Sequence, residues 1–117
     1  MKKINVVKDN LRFNEIIKTG KYVKDNNLII YRCISNDSKY RFGISVPKKL
    51  CHAYLRNYYK RVLRSICDNN KNLYSNKDYV IIVRKGSLNS DYSKIENSFK
   101  FLMNKLEKEN TKWKTKN

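Results

Sequence analysis

The hydrophobic positions near the start of the chain recur at helical spacing. Phe13, Ile16 and Ile17 fall three or four positions apart, so they share one side of a helix. Asn10 can cap the start of this helix, and Gly20 stands where it would stop. The pattern predicts a short amphipathic helix.

The next apolar segments have the composition of strands. Residues 27–34 and 40–46 are rich in β-branched and aromatic side chains, and Pro47 ends the second segment. Residues 35–38 are typical of a turn, so the two strands are predicted to pair as an antiparallel hairpin. A further short strand is predicted near Tyr22-Val23.

The period becomes helical again between His52 and Asn69. The apolar side chains of this segment form a stripe, which consists of Leu55, Tyr59, Val62, Leu63 and Ile66. Residues 78–84 are almost continuously apolar, which predicts a central strand covered on both faces. Ser90 or Asp91 can cap a last helix, whose inward residues are Tyr92, Ile95, Phe99, Leu102 and Leu106.

The order of these elements is α-β-β-β-α-β-α, which indicates a single two-layer α+β domain with helices against one sheet. Its 117 residues fit one domain, with an ordered core from about residue 7 to 109 and a polar tail at 110–117. No apolar run approaches the roughly 18 residues of a membrane span. Three scattered cysteines without a C-x-x-C pair favour reduced thiols and a cytoplasmic location.

The net charge of the chain narrows the range of possible binding partners. Lysine and arginine number 27 and aspartate and glutamate number 10, which gives a net charge of +17. Such a surface attracts polyanions, with nucleic acid the first candidate and an anionic membrane surface the second. A codon bias towards AT-rich DNA is an alternative explanation for many of the lysines, but it accounts poorly for the arginines at 56–64.

Those arginines belong to a basic helical face. Four cations fall at positions i, i+4, i+5 and i+8, and no acidic residue stands between positions 41 and 67. Like charges at this spacing destabilise an isolated helix by a few tenths of a kcal/mol per pair, which a row of phosphates would offset. A solvated charged face is the alternative, but such faces usually mix signs. The predicted RNA-binding residues are Lys48, Lys49, Arg56, Asn57, Lys60, Arg61 and Arg64.

Aromatic residues give a second signal for RNA. Phe13, Tyr31, Tyr40 and Phe42 lie in the predicted first helix and strands, where an exposed ring could stack on an unpaired base. Core packing is the alternative for each, because the sequence does not fix the face.

The sequence lacks the residue patterns that are typical of protein catalysts of RNA cleavage. There is one histidine, no H-E-x-x-H, no glycine-rich phosphate loop and no close pair of carboxylates. Cys51-His52 lacks the two further ligands of a zinc site. The sequence therefore predicts an RNA-binding protein without catalytic or metal-ligating residues of its own.

Three segments resemble a known family in combination. They are RFGISVPKK at 41–49, the pattern A-x-x-R-N-x-x-K-R-x-x-R at 53–64, and DYVIIVRK at 78–85. Together with the first helix at 11–20, they are similar to the protein component of bacterial ribonuclease P over about residues 7–107.

The resemblance implies the subunit of an endoribonuclease, a hydrolase that removes the 5′ leader of precursor tRNA. The RNA subunit carries the active site, with Mg²⁺ as cofactor, and one protein is expected per RNA, with neither DNA nor membrane as partner. The implied fold resembles a domain of a small-subunit ribosomal protein and contains a left-handed β-α-β crossover. Handedness statistics alone favour a right-handed one.

Residue roles follow from the same resemblance. The basic residues above face the RNA subunit, and the leader-binding cleft maps to Phe13, Ile17 and Tyr31. Tyr58 stands where the family commonly has Arg, so one phosphate contact is lost or replaced by stacking. Ile17 stands where an aromatic residue is frequent, and Pro47 should stiffen the end of its strand.

The sequence leaves two other functions open. A ribosome-associated binding module with the same fold would bind ribosomal RNA without preference for leader-bearing tRNA. A stand-alone nuclease would need a carboxylate or histidine cluster, and the sequence offers none.

Overall fold

Four strands form one mixed sheet in the order β1-β2-β4-β3, with three α-helices packed around it. The computed structural model describes residues 6–7, 9–35 and 39–116, with side chains up to Glu107. The elements are α1 (Asn10–Thr19), β1 (Lys21–Lys24), β2 (Leu28–Ile34), β3 (Arg41–Ser45), α2 (Ala53–Asn69), β4 (Lys77–Val83) and α3 (Tyr92–Lys116). This confirms the predicted α+β class and the predicted element order.

The predicted hairpin between the second and third strands is wrong. β4 lies between β2 and β3, antiparallel to β2 and parallel to β3. The physical reason is the apolar character of β4, where Tyr79, Val80 and Ile81 are fully buried on alternating faces. A strand that is covered on both faces belongs in the middle of the sheet. Most of the predicted turn at 35–38 lies outside the described residues.

The parallel pair β3 and β4 is joined through α2, so the predicted β-α-β crossover is present. Its left-handedness stays a prediction from the resemblance.

The large core lies between one face of the sheet and the helices α2 and α3. Phe42 of β3 stacks on Tyr79 of β4 with ring centroids 4.9 Å apart, and Phe99 of α3 lies 6.4 Å from Phe42. The predicted apolar stripe of α2 faces this core, with Leu63 and Ile66 buried. α2 therefore packs on the sheet through the apolar stripe that the sequence predicted.

The opposite face of the sheet carries α1 and is called the α1 face here. The strand register aligns Tyr22, Tyr31, Val80 and Gly43 in one row across all four strands of this face. A neighbouring row runs through Cys33, Asp78 and Arg41. α1 covers part of the α1 face and leaves the rest half-exposed.

Aspartate side chains cap the starts of α1 and α3. The cap of α1 is Asp9 rather than Asn10, since the Asp9 carboxylate accepts a 2.9 Å hydrogen bond from the backbone N–H of Leu11. Asp91 caps α3 by accepting from the N–H of Lys94 at 3.0 Å. A carboxylate is favoured at both places because the first N–H groups of a helix lack partners.

Candidate nucleic-acid interface

A narrow groove separates α1 from α2 at the β3 edge of the sheet. Phe13 lines it from α1, Gly43 from β3, and Lys60 and Arg64 from α2. Its volume is about 110 Å³. The structure therefore brings together an aromatic residue of the predicted leader cleft and two residues of the predicted RNA-binding helix.

The cations of α2 differ from the other arginines in their partners. Lys60, Arg61 and Arg64 form no hydrogen bond or ion pair with any described residue. Elsewhere, Arg12 pairs with Asp78 at 2.8 Å. Carboxylates also neutralise two further arginines, in the pairs Arg32–Glu107 and Arg41–Asp78. Among the described arginines, the two without any hydrogen-bond or ion-pair partner, Arg61 and Arg64, therefore both lie on the helix that the sequence identified.

The start of α2 adds to this positive surface. No side chain caps the helix at His52, and its first turn has no acidic residue, so the positive end of the helix dipole is not compensated. Lys48 and Lys49 are exposed in the preceding turn. Arg56 is half-buried and donates from Nη1 to the carbonyl oxygen of Cys51 at 3.1 Å, so it also holds this turn in place.

Asn57 and Arg61 lie on the outer side of α2, next to the helix face that lines the groove. Both are exposed and line a second, open hollow with Tyr54 and Tyr58. Tyr54 was not among the residues predicted from the sequence. The available signal was the spacing of the two tyrosines, which are four residues apart and outside the apolar stripe.

The predicted leader-binding residues reach the α1 face from two elements. The ring of Phe13 covers Gly43 so closely that a Cβ on Gly43 would lie 2.9 Å from Phe13 Cε2. Tyr31 is half-buried on β2 and contacts Tyr22 with ring centroids 5.4 Å apart. Ile17 is half-buried on α1. Aromatic groups therefore stand at both ends of the row through Tyr31 and Gly43.

The structure separates these rings from the other two aromatic candidates. Phe42 is 1% exposed and stacks on Tyr79 inside the core. Tyr40 is half-buried and packs on Tyr74 with centroids 4.8 Å apart. Core packing therefore explains Tyr40 and Phe42, whereas Phe13 and Tyr31 border the half-exposed part of the α1 face.

A buried ion pair fixes α1 on the sheet beneath this face. Arg12 of α1 donates from Nε to Oδ2 of Asp78 at 2.9 Å and also binds Glu15 and the carbonyl oxygen of Ile34. Arg41 Nη1 lies 3.5 Å from the other carboxylate oxygen, an ion pair without hydrogen-bond geometry. Partial burial lowers the pKa of Arg12, but the hydrogen bonds to Asp78 and Glu15 outweigh it, so the pKa is raised.

Metal-ligating side chains do not cluster in the described part of the chain. No three His, Cys, Asp or Glu residues there come close enough to hold a metal ion together. Cys51 and His52 gain no further ligand from any described residue. Within the same residues, no helix has the length and apolar composition to cross a membrane.

The fold and the interface define a class, that of small α+β proteins with an unpaired cationic helix beside a partly exposed sheet face. A family model described as Ribonuclease P matches residues 1–107. The chain therefore belongs to the ribonuclease P protein family, which confirms the resemblance.

Individual relatives agree with this membership. The ribonuclease P protein component of Streptococcus agalactiae is 38% identical over 96 residues, which cover 82% of this chain and 88% of that protein. The component of Mycoplasma mycoides subsp. mycoides is 39% identical over 100 residues, which cover 84% and 92%. A solved Staphylococcus aureus RNase P protein, a mutant with defective mRNA degradation activity, has a TM-score of 0.84 at 31% identity and 90% coverage of both chains.

Proposed function

We propose that this chain is the protein subunit of ribonuclease P. It binds the catalytic RNA and the 5′ leader of precursor tRNA, and so supports the endonucleolytic cut that forms the mature 5′ end. The observation that carries the proposal is the set of unpaired cations on α2, Lys60, Arg61 and Arg64, beside the half-exposed α1 face in a member of this family.

α2 and the turn before it form the docking surface for the RNA subunit. Cations without carboxylate partners attract the phosphates of a folded RNA, and arginine can donate to two phosphate oxygens at once. Two of the cations stand at the groove and one on the outer side, so the helix can follow a backbone along its length. The residues in this role are Lys48, Lys49, Arg56, Asn57, Lys60, Arg61 and Arg64.

The leader occupies the α1 face. A single strand is recognised by stacking of its bases on aromatic rings, together with cations along its backbone. Phe13 and Tyr31 provide the rings, Ile17 an apolar contact, and Lys60 and Arg64 the charges at the groove. The groove joins the two surfaces, so a leader on the α1 face would lie next to the RNA subunit on α2.

The chemistry of cleavage belongs to the RNA subunit in this proposal. Mg²⁺ bound mainly by that RNA supplies the Lewis-acid assistance for phosphodiester hydrolysis. The described residues of this chain contribute charge, stacking surface and position. We further propose that one protein binds one RNA subunit and that the complex works in the cytoplasm.

Reconstitution with the RNA subunit tests the proposal directly. Cleavage of a precursor tRNA is measured at low Mg²⁺ with and without the protein, using substrates that carry or lack a leader of several nucleotides. We expect a faster cut and tighter binding for the leader-bearing substrate, and no cleavage by the protein alone. The absence of any rate gain, or tight binding to ribosomal RNA without preference for the leader, would overturn the proposal.

A further inference from the structure

The outer side of α2 carries two exposed tyrosines. Tyr54 is 70% and Tyr58 is 43% exposed. With Leu55, Asn57 and Arg61, they line an open hollow of about 420 Å³, called the tyrosine hollow here. Its lining residues differ from those of the groove, which Lys60 and Arg64 line from the neighbouring face of the helix.

The fold itself does not require these two rings. The core face of α2 is formed by other side chains, among them the buried Tyr59 and Ile66. Tyr58 meets Tyr59 in a T-shaped contact with ring centroids 5.2 Å apart and still exposes 43% of its surface. Among the described residues, the one aromatic ring near Tyr54 is that of the exposed His52, parallel to it with centroids 6.5 Å apart.

The charges around the hollow select the kind of occupant. Arg61 has no described partner, Asn57 is exposed beside it, and no acidic residue stands between positions 41 and 67. Flat rings, an unpaired guanidinium and an amide are the groups that recognise the base, the phosphate and the base edge of a nucleotide. A partner surface that is merely apolar would leave Arg61 and Asn57 without a counterpart.

We propose that the tyrosine hollow binds one unpaired base of the partner RNA, stacked on Tyr54 and Tyr58. Arg61 holds the adjoining phosphate, and the Asn57 amide contacts the edge of the base. α2 then grips RNA along two lines, one of phosphates at Lys60 and Arg64 and one that includes a base. This inference rests on the proposed function, and it resolves the role of Tyr58 in favour of stacking.

Two oligonucleotides of equal length and charge test the stacking. One is an octamer of adenylates, and the other is the same octamer with abasic riboses, which keeps the phosphates and removes the bases. Binding is measured in a Tyr31→Ala background, so that stacking on the α1 face contributes less. Tyr54→Ala should weaken binding of the adenylate octamer by about fivefold or more and leave the abasic octamer unchanged, because only the adenylate octamer has a base to stack on the lost ring.

Two further variants serve as controls. Tyr54→Phe keeps the ring and should bind both oligonucleotides like the Tyr31→Ala parent. Phe101→Ala removes an aromatic side chain that is 60% exposed on α3 and should change neither affinity. Because Tyr54 is 70% exposed and lies outside the buried core, its truncation should leave the packed core intact.

Three results would overturn the inference. They are an equal loss on both oligonucleotides, no loss on either, or a change from dimer to monomer on Tyr54→Ala in sedimentation, which would assign the hollow to a second copy of the chain. If the wild-type protein accelerates precursor cleavage but Tyr54→Ala has no effect on either octamer, the inference alone fails. If the wild-type protein gives no rate gain with the RNA subunit, the proposed function fails.

Discussion

The guanidinium of Arg12 on α1 is bound to the carboxylate of Asp78 on the central strand β4, with Nε and Nη2 at 2.9 and 2.8 Å from Oδ2. The Asp78 side chain is 3% exposed and that of Arg12 is 17% exposed. This pair sets the position of α1 on the sheet. It therefore also sets the groove in which Phe13 faces α2.

Asp78→Ala tests how strongly this pair holds the helix. Removing the carboxylate leaves Arg12 and Arg41 without their common partner, so the free energy of unfolding should fall by about 3–5 kcal/mol. Urea denaturation measures the loss. Glu15→Ala is the matched control, since Glu15 binds Arg12 from a side chain that is 58% exposed and should cost less than about 1 kcal/mol. Equal losses would mean that the buried pair does not anchor α1.

Gly43→Ala tests the contact between β3 and the first helix. The added Cβ would lie 2.9 and 3.0 Å from two ring atoms of Phe13, so the ring must move away from the sheet. Binding of leader-bearing tRNA by the reconstituted complex should weaken several-fold, since a displaced ring stacks less well. Phe13→Ala should weaken it too, and the double variant should be no worse than the poorer single one. Additive losses would show that Gly43 acts independently of Phe13.

Tyr31→Ala separates leader binding from RNA docking. The ring borders the half-exposed α1 face beside Tyr22, so its loss should weaken precursor tRNA binding about fivefold or more and mature tRNA binding less. Affinities of the reconstituted complex for both tRNAs give the answer. Ile34→Ala, at an exposed site at the end of the same strand, should change neither. Equal losses for both tRNAs would remove Tyr31 from the leader cleft.

Arg64→Ala tests the phosphate contacts of α2. If Arg64 neutralises one phosphate, the slope of log affinity against log salt should become shallower by about one unit. Titration of the RNA subunit at several salt concentrations measures this slope. Lys100→Ala removes an exposed positive charge from α3 and should leave the slope as it is. An unchanged slope for Arg64→Ala would place that side chain away from phosphate.

The buried thiol of Cys67 should make the free energy of unfolding depend on pH in the alkaline range. Burial of the thiol raises its pKa well above the ordinary 9.0, so the folded chain keeps the proton while the unfolded chain releases it. The stabilisation of the fold by the protonated thiol is fully present below pH 9.0. As the pH rises above 9.0, the free energy of unfolding falls by up to about 1.4 kcal/mol per pH unit. Urea denaturation from pH 7.5 to 10 should show a shallower decline for Cys67→Ala than for the wild type. Parallel curves would contradict this assignment.

The sequence by itself determined the kinds of element and the basic helix. Periodicity depends on local spacing, so α2, its apolar stripe and the buried character of β4 could be predicted from nearby residues alone. The positive charge of α2 could be predicted in the same way, because acidic residues are absent from the whole segment 42–67.

Tertiary structure decided which strands pair and which side chains remain available. β4 displaced the predicted hairpin because only the folded sheet can cover both of its faces. Phe13 and Tyr31 border a half-exposed surface while Phe42 is buried, since the face of each ring depends on strands that are distant in sequence. Carboxylates from β4 and α3 neutralise the arginines of α1 and the sheet, whereas no described carboxylate pairs with Lys60, Arg61 or Arg64 of α2.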